Sequence, residues 1–166
     1  DIAMKARTTP LPLAYAALAV GMALAIPGFA RAETSGQTDA DSTTASDVAA
    51  HNAGFERGLT FGTSPQTVGE MLQCSAVWDR WSYVLASAAD PAFAAGLREE
   101  LSAENASRRE VYWRRQARRE MQEDDDASYF ESMRADAEES ADEIYADYAT
   151  GGEKGLQGMT EWLALC

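Results

Sequence analysis

The sequence predicts an all-α protein, a small helical bundle of three to five helices held by one disulfide. Three observations carry this. Apolar residues recur at steps of three and four along most of the second half of the chain, which puts them on one face of a helix. No run alternates apolar and polar with period two, and Val and Ile are scarce beside Ala, Glu and Arg. The only two cysteines, Cys74 and Cys166, each fall on one of the helical apolar stripes.

The first element expected is a leader. Residues 1–3 read as an upstream or cloning remnant, with Met4 as the start. Lys5 and Arg7 precede an apolar run from Leu11 to Ile26, and Ala30-Arg31-Ala32 supplies the small-x-small pattern of a signal peptidase site. Residues 4–32 therefore read as a signal peptide cleaved between Ala32 and Glu33. The run of about 16 residues is shorter than the roughly 20 needed to span a bilayer, so no stable membrane insertion is expected after cleavage. The destination expected is the bacterial periplasm or the exterior. Secretion from a eukaryote would make Asn105-Ala106-Ser107 a glycosylation sequon.

Residues 33–45 are Thr, Ser, Asp, Gly and Gln with no apolar side chain larger than Ala, which reads as a disordered linker. Residues 46–166 form the helical-bundle domain. A short helix is expected from Ser46 to about Arg57, in a region weakened by Gly54, Gly58 and Gly62. Ser64-Pro65 starts the first long helix, whose stripe is Met71, Cys74, Val77, Trp78, Trp81, Val84 and Leu85. Asp90-Pro91 starts a second, with Phe93, Leu97 and Leu101 on its apolar face and a weaker continuation through Trp113 and Ala117 to Met121. Asp126 caps a third, striped by Phe130, Met133, Ala137, Ala141, Ile144 and Tyr148 and ended by Gly151-Gly152. A last short helix carries Leu156, Met159, Leu163 and Cys166. A bond between Cys74 and Cys166 would join the first long helix to the last. It would close a loop of about 92 residues, which the chain-entropy account values at roughly 4–5 kcal/mol at most.

Charge narrows the functions. The chain has 14 basic and 27 acidic residues; removing a leader with Lys5, Arg7, Arg31 and Asp1 leaves 11 and 26, a net charge of −15. Such a chain is repelled at long range by nucleic acid and by anionic lipid surfaces, and nucleic acid is not an expected partner. The local exception is Arg108, Arg109, Arg114, Arg115, Arg118 and Arg119, with Tyr112 and Trp113 among them. Arg forks fit carboxylate and phosphate, and exposed Trp beside Arg is typical of interface anchors. The partner-binding residues expected are thus Arg108, Tyr112, Trp113, Arg114, Arg115, Arg118 and Arg119, facing an acidic envelope protein or another anionic envelope component. The competing reading pairs these arginines with Glu110, Glu120 and the acids Glu138, Glu139, Asp142 and Glu143.

No motif nominates a catalyst. Glu123–Asp126 lacks the staggered ligands and glycine of a calcium loop. His51, the sole histidine, has too few partners for zinc and no nucleophile motif around it. No cofactor is expected. The expectation is a non-enzymatic interaction, accessory or scaffold module; the alternatives are a small-ligand carrier or envelope-stress chaperone, and a carboxylate-based hydrolase.

Overall fold

The computed structural model describes residues 35–122 and 126–166, with side chains from residue 42 onward. The expected leader at 4–32, with its site at Ala30, Ala32 and Glu33, lies outside the described residues, as do Glu123, Asp124 and Asp125. Among the described residues every regular element is helical: α1 (Ser35–Leu59), α2 (Val68–Ser87), α3 (Pro91–Gly96), α4 (Ala103–Arg119), α5 (Ala127–Ala149) and α6 (Glu153–Leu165), with a 3-10 turn at Glu99–Leu101. The all-helical class therefore holds, with six helices where three to five were expected.

The sixth helix arises because the long second helix expected from Asp90 to Met121 is broken. Asp90 caps α3 through the Ala92 N–H as the sequence suggests. Past Gly96, however, neighbouring helices take over the backbone groups. Asn52 of α1 donates to the Gly96 carbonyl and accepts from the Arg98 N–H. Leu101, fully buried, gives its carbonyl to the Trp81 indole N–H at 2.9 Å. Ser102 then caps α4 by accepting from the Asn105 N–H.

Two other boundaries differ. α1 begins at Ser35, inside the segment whose composition suggests a linker. A helix needs no core of its own where it extends from a docked segment, and α1 is docked from Thr44 onward, where its hydroxyl donates to Asp90. α2 starts at Val68 rather than at Ser64-Pro65. Thr67 and Glu70 form a reciprocal capping box there, which satisfies two orphan donors at once.

α2 is the central element, packed against α4 and α5, while α1 packs on α6. Its stripe is buried as the periodicity implies, with Trp78 and Trp81 at its middle. The glycines that weaken α1 have a packing role. A Cβ at Gly58 would stand 3.0 Å from the Glu161 Cα, and one at Gly54 would meet the Thr160 side chain, so glycine lets α1 and α6 approach closely. The α5–α6 turn uses Gly151 and Gly152 at φ 80° and 95°, the left-handed region that other residues avoid. Cys74 and Cys166 stand at disulfide-bonding distance with Cα atoms 5.3 Å apart, tying α2 to the end of α6.

Candidate interaction surface

α4 sorts its arginines by helical phase. Ala106, Trp113 and Ala117 are buried and mark the face turned to α2. At about 100° per residue, Arg108, Tyr112, Arg115 and Arg119 fall on the opposite side, within an arc of about 60°. All four are exposed, Tyr112 by 47%. Together with Ser107 and Gln116 they line a shallow groove of about 450 Å³ whose floor is Val111. Arg108 reaches Glu104 only at 3.8 Å, with both side chains largely exposed. Arg115 and Arg119 make no ion pair with a described residue. The sequence placed Arg108, Arg115 and Arg119 along one side, and that grouping is present.

Trp113 is a correction. Its charged sequence neighbours suggested an exposed anchor, but it is only 7% exposed and its indole N–H donates to the Cys166 carbonyl. Arg109 donates to the same carbonyl at 3.1 Å, so both residues fix the end of α6 to α4. The partner of Trp113 lies 53 residues away, and no local pattern reports it.

Arg114 and Arg118 also leave the outer stripe. They line a cleft of about 320 Å³ between α2, α4 and α5 with an apolar floor of Leu72, Ala76 and Phe130. Arg114 pairs with Glu110, and the Arg118 guanidinium lies 4.3 Å from the centre of the Phe130 ring. The expected pairing of the α4 arginines with the acids of α5 is not what forms. Glu138 is held by Arg134 at 2.8 Å, and Asp142 by Arg80 at 2.6 Å. The Arg80 hydrogen bond holds the Asp142 carboxyl below the usual carboxylate range.

Among the described residues His51 is a buried titratable group, 7% exposed. It is packed by the rings of Trp81, Phe93 and Tyr148. Both ring nitrogens are engaged, by the Asp47 carbonyl at 2.7 Å and the Tyr148 hydroxyl at 2.8 Å. Burial pushes the His51 pKa down and that of Tyr148 up to about 12, which keeps both groups neutral. Among the described residues the carboxyls whose pKa moves (Glu70, Asp90, Glu100, Asp126 and Asp142) move down, each chiefly through hydrogen bonds to the ionised form. A general acid for hydrolysis requires the opposite direction. No protein-family model matches the chain, and neither a curated protein nor a solved structure is significantly similar to it.

Proposed function

We propose that the chain is an exported docking module, a non-enzymatic accessory or scaffold protein that binds an acidic partner through the outer face of α4. The observation that supports this is the stripe of Arg108, Tyr112, Arg115 and Arg119: exposed, positive, and on the side of α4 away from its core face, in a chain of net charge −13. Charged groups that pair weakly or not at all at home and do not serve the core are available for recognition, and opposite charge on a partner gives both steering and register. Trp113, Arg114 and Arg118 drop out of the expected binding set because they have internal roles. Export is supported by the leader pattern in residues 4–32 and by the Cys74–Cys166 pair, which suits an oxidising compartment.

Site-specific photo-crosslinking tests the docking. Benzoylphenylalanine at Gln116, beside the stripe, should capture a defined partner in cells. Changing Arg108, Arg115 and Arg119 to Gln in the same chain should remove that product. Capture that survives the three changes would overturn the reading. Intact mass of the exported form should correspond to a chain starting at Glu33.

A second reading is a carrier of small amphiphilic ligands. The cleft over Leu72, Ala76 and Phe130 favours it, since an apolar floor with charged walls suits a ligand that has both characters. A thermal shift with short aliphatic or aromatic carboxylates, lost in Arg118→Ala, would support that reading.

A further inference from the structure

The acidic surface that matches the α4 stripe is present on the same molecule. On α5 the buried residues Phe130, Ala137 and Ala141 define the inner face. Asp136, Glu139, Glu143 and Asp147 are exposed and fall within an arc of about 80° on the other side. None of the four makes an ion pair with a described residue, whereas their neighbours Glu138 and Asp142 are taken by Arg134 and Arg80. α5 therefore carries an outward acidic stripe with no ion pair among the described residues, opposite in sign to the stripe on α4.

The stripes also agree in spacing. Arg108, Arg115 and Arg119 are separated by seven and four residues, and so are Asp136, Glu143 and Asp147. At 1.5 Å rise per residue each set spans about 16 Å along its helix. Laid parallel, every arginine meets a carboxylate, with Tyr112 beside Glu139. Laid antiparallel, the two ends still match and Arg115 falls one residue from Glu139. Two rows of the same period and opposite sign can pair along their whole length; a scatter of surface charges cannot.

We infer that a second copy of this chain is the acidic partner, the α4 stripe of one copy seating on the α5 stripe of the other. The inference rests on the docking reading above and names its occupant. Each copy carries both stripes, so two copies can join through one α4–α5 contact or through two. A pair joined through both closes as a dimer. The net charge of −13 on each copy opposes the approach. At physiological ionic strength, however, the Debye length is about 8 Å, which screens the overall repulsion far more than contacts at ion-pair distance.

Charge reversal and its complement decide the matter. The full oxidised chain, examined by sedimentation equilibrium at physiological salt from micromolar to sub-millimolar concentration, should show a monomer–dimer equilibrium. Arg115→Glu/Arg119→Glu should be monomeric, and so should Glu139→Arg/Glu143→Arg. An equimolar mixture of these two variants should regain the dimer mass, because each supplies the stripe that the other lacks. Melting temperatures of both variants verify that they fold. A wild-type chain of monomer mass throughout, or a dimer that persists in both variants, overturns the inference. Failure of the inference is separable from failure of the docking reading. A monomer whose Gln116 probe captures a different protein keeps the docking and removes the second copy; a monomer whose probe captures nothing removes both.

Discussion

Tyr148 Oη lies 2.8 Å from His51 Nε2, although 97 residues separate the two in the chain. The other ring nitrogen faces the Asp47 carbonyl, which can only accept, so Nδ1 carries the proton and Nε2 accepts from the tyrosine hydroxyl. Tyr148→Phe would leave that buried nitrogen without a donor. The expected loss is about 1–3 kcal/mol of unfolding free energy, measured by urea denaturation at neutral pH. An unchanged midpoint would mean that water replaces the hydroxyl.

The same pair sets a pH dependence. Burial lowers the folded-state pKa of His51 below its ordinary 6.5, so the unfolded chain binds the proton more readily. Stability is therefore fully present above about pH 6.5 and is lost as the pH falls toward the folded-state value. His51 is the only histidine, and the shifted carboxyls are moved down, out of this range. Melting temperature should drop between pH 7 and pH 5 in the wild type, and His51→Gln should flatten that slope. A slope retained by the variant would contradict the assignment.

These residues mark the limit of what the sequence makes legible. Helical periodicity located the buried face of α2 and α5, because a stripe is a local property that survives whatever the helix packs against. The Asp126 cap and the Gly151-Gly152 stop were legible for the same reason. The break between α3 and α4 was not, because it depends on Asn52 and Trp81 claiming the Gly96, Arg98 and Leu101 backbone groups. Trp113 was misread in the same way. Charged residues crowd its stretch of helix, but its ring is turned into the bundle, and the carbonyl that receives its N–H belongs to Cys166. The outer stripe was partly legible, since helical phase groups Arg108, Arg115 and Arg119 without any knowledge of packing. Only the structure shows what Arg109, Arg114 and Arg118 touch: the Cys166 carbonyl, Glu110 and the Phe130 ring.

The clamp on the end of α6 should be cooperative. Cys166 is joined to Cys74 by its side chain and to Trp113 and Arg109 by its carbonyl. Reduction, or Cys74→Ser, removes the constraint on a loop with a sequence separation of 92, worth up to roughly 4–5 kcal/mol. Trp113→Phe keeps most of the ring and removes one hydrogen bond, so about 1 kcal/mol is expected when the disulfide is intact. In the reduced protein the loss from Trp113→Phe should be smaller, since the carbonyl is no longer held in place. Thermal melts of the four combinations measure the coupling, and strict additivity would show that the contacts act separately.

Two glycines of α6 should respond with opposite sign to the same substitution. Gly158 has open space where a Cβ would stand, so Gly158→Ala gains helix propensity and should stabilise by about 0.5–1 kcal/mol. Gly155 is buried, and a Cβ there would run into the Asp147 carbonyl and the Tyr148 Cα, both backbone. Backbone cannot rotate away as a side chain can, so Gly155→Ala should destabilise by at least about 2 kcal/mol. Chemical denaturation of the two variants side by side checks the sign, and a stabilised Gly155→Ala would mean that the α5–α6 turn sits further apart.

The arginines of α4 should divide by phase alone. At a concentration where the chain is monomeric, Arg108→Gln, Arg115→Gln and Arg119→Gln together should leave stability within about 0.5 kcal/mol, since exposed charges with weak or no internal partners contribute little to folding. Arg109 is adjacent to Arg108 but turned toward α6, and Arg109→Gln should cost about 1 kcal/mol through the lost bond to the Cys166 carbonyl. Arg118, adjacent to Arg119, lies over Phe130, and Arg118→Ala should cost about 0.5–1 kcal/mol through the lost ring contact. Composition treats each doublet as one feature, yet a step of about 100° around the helix puts one member on the bundle and the other on its outside. If all five substitutions proved equally neutral, the contacts of Arg109 and Arg118 would carry no folding energy. If the three outer ones were costly, their side chains would have partners within the fold, and α4 would have no face to spare for docking.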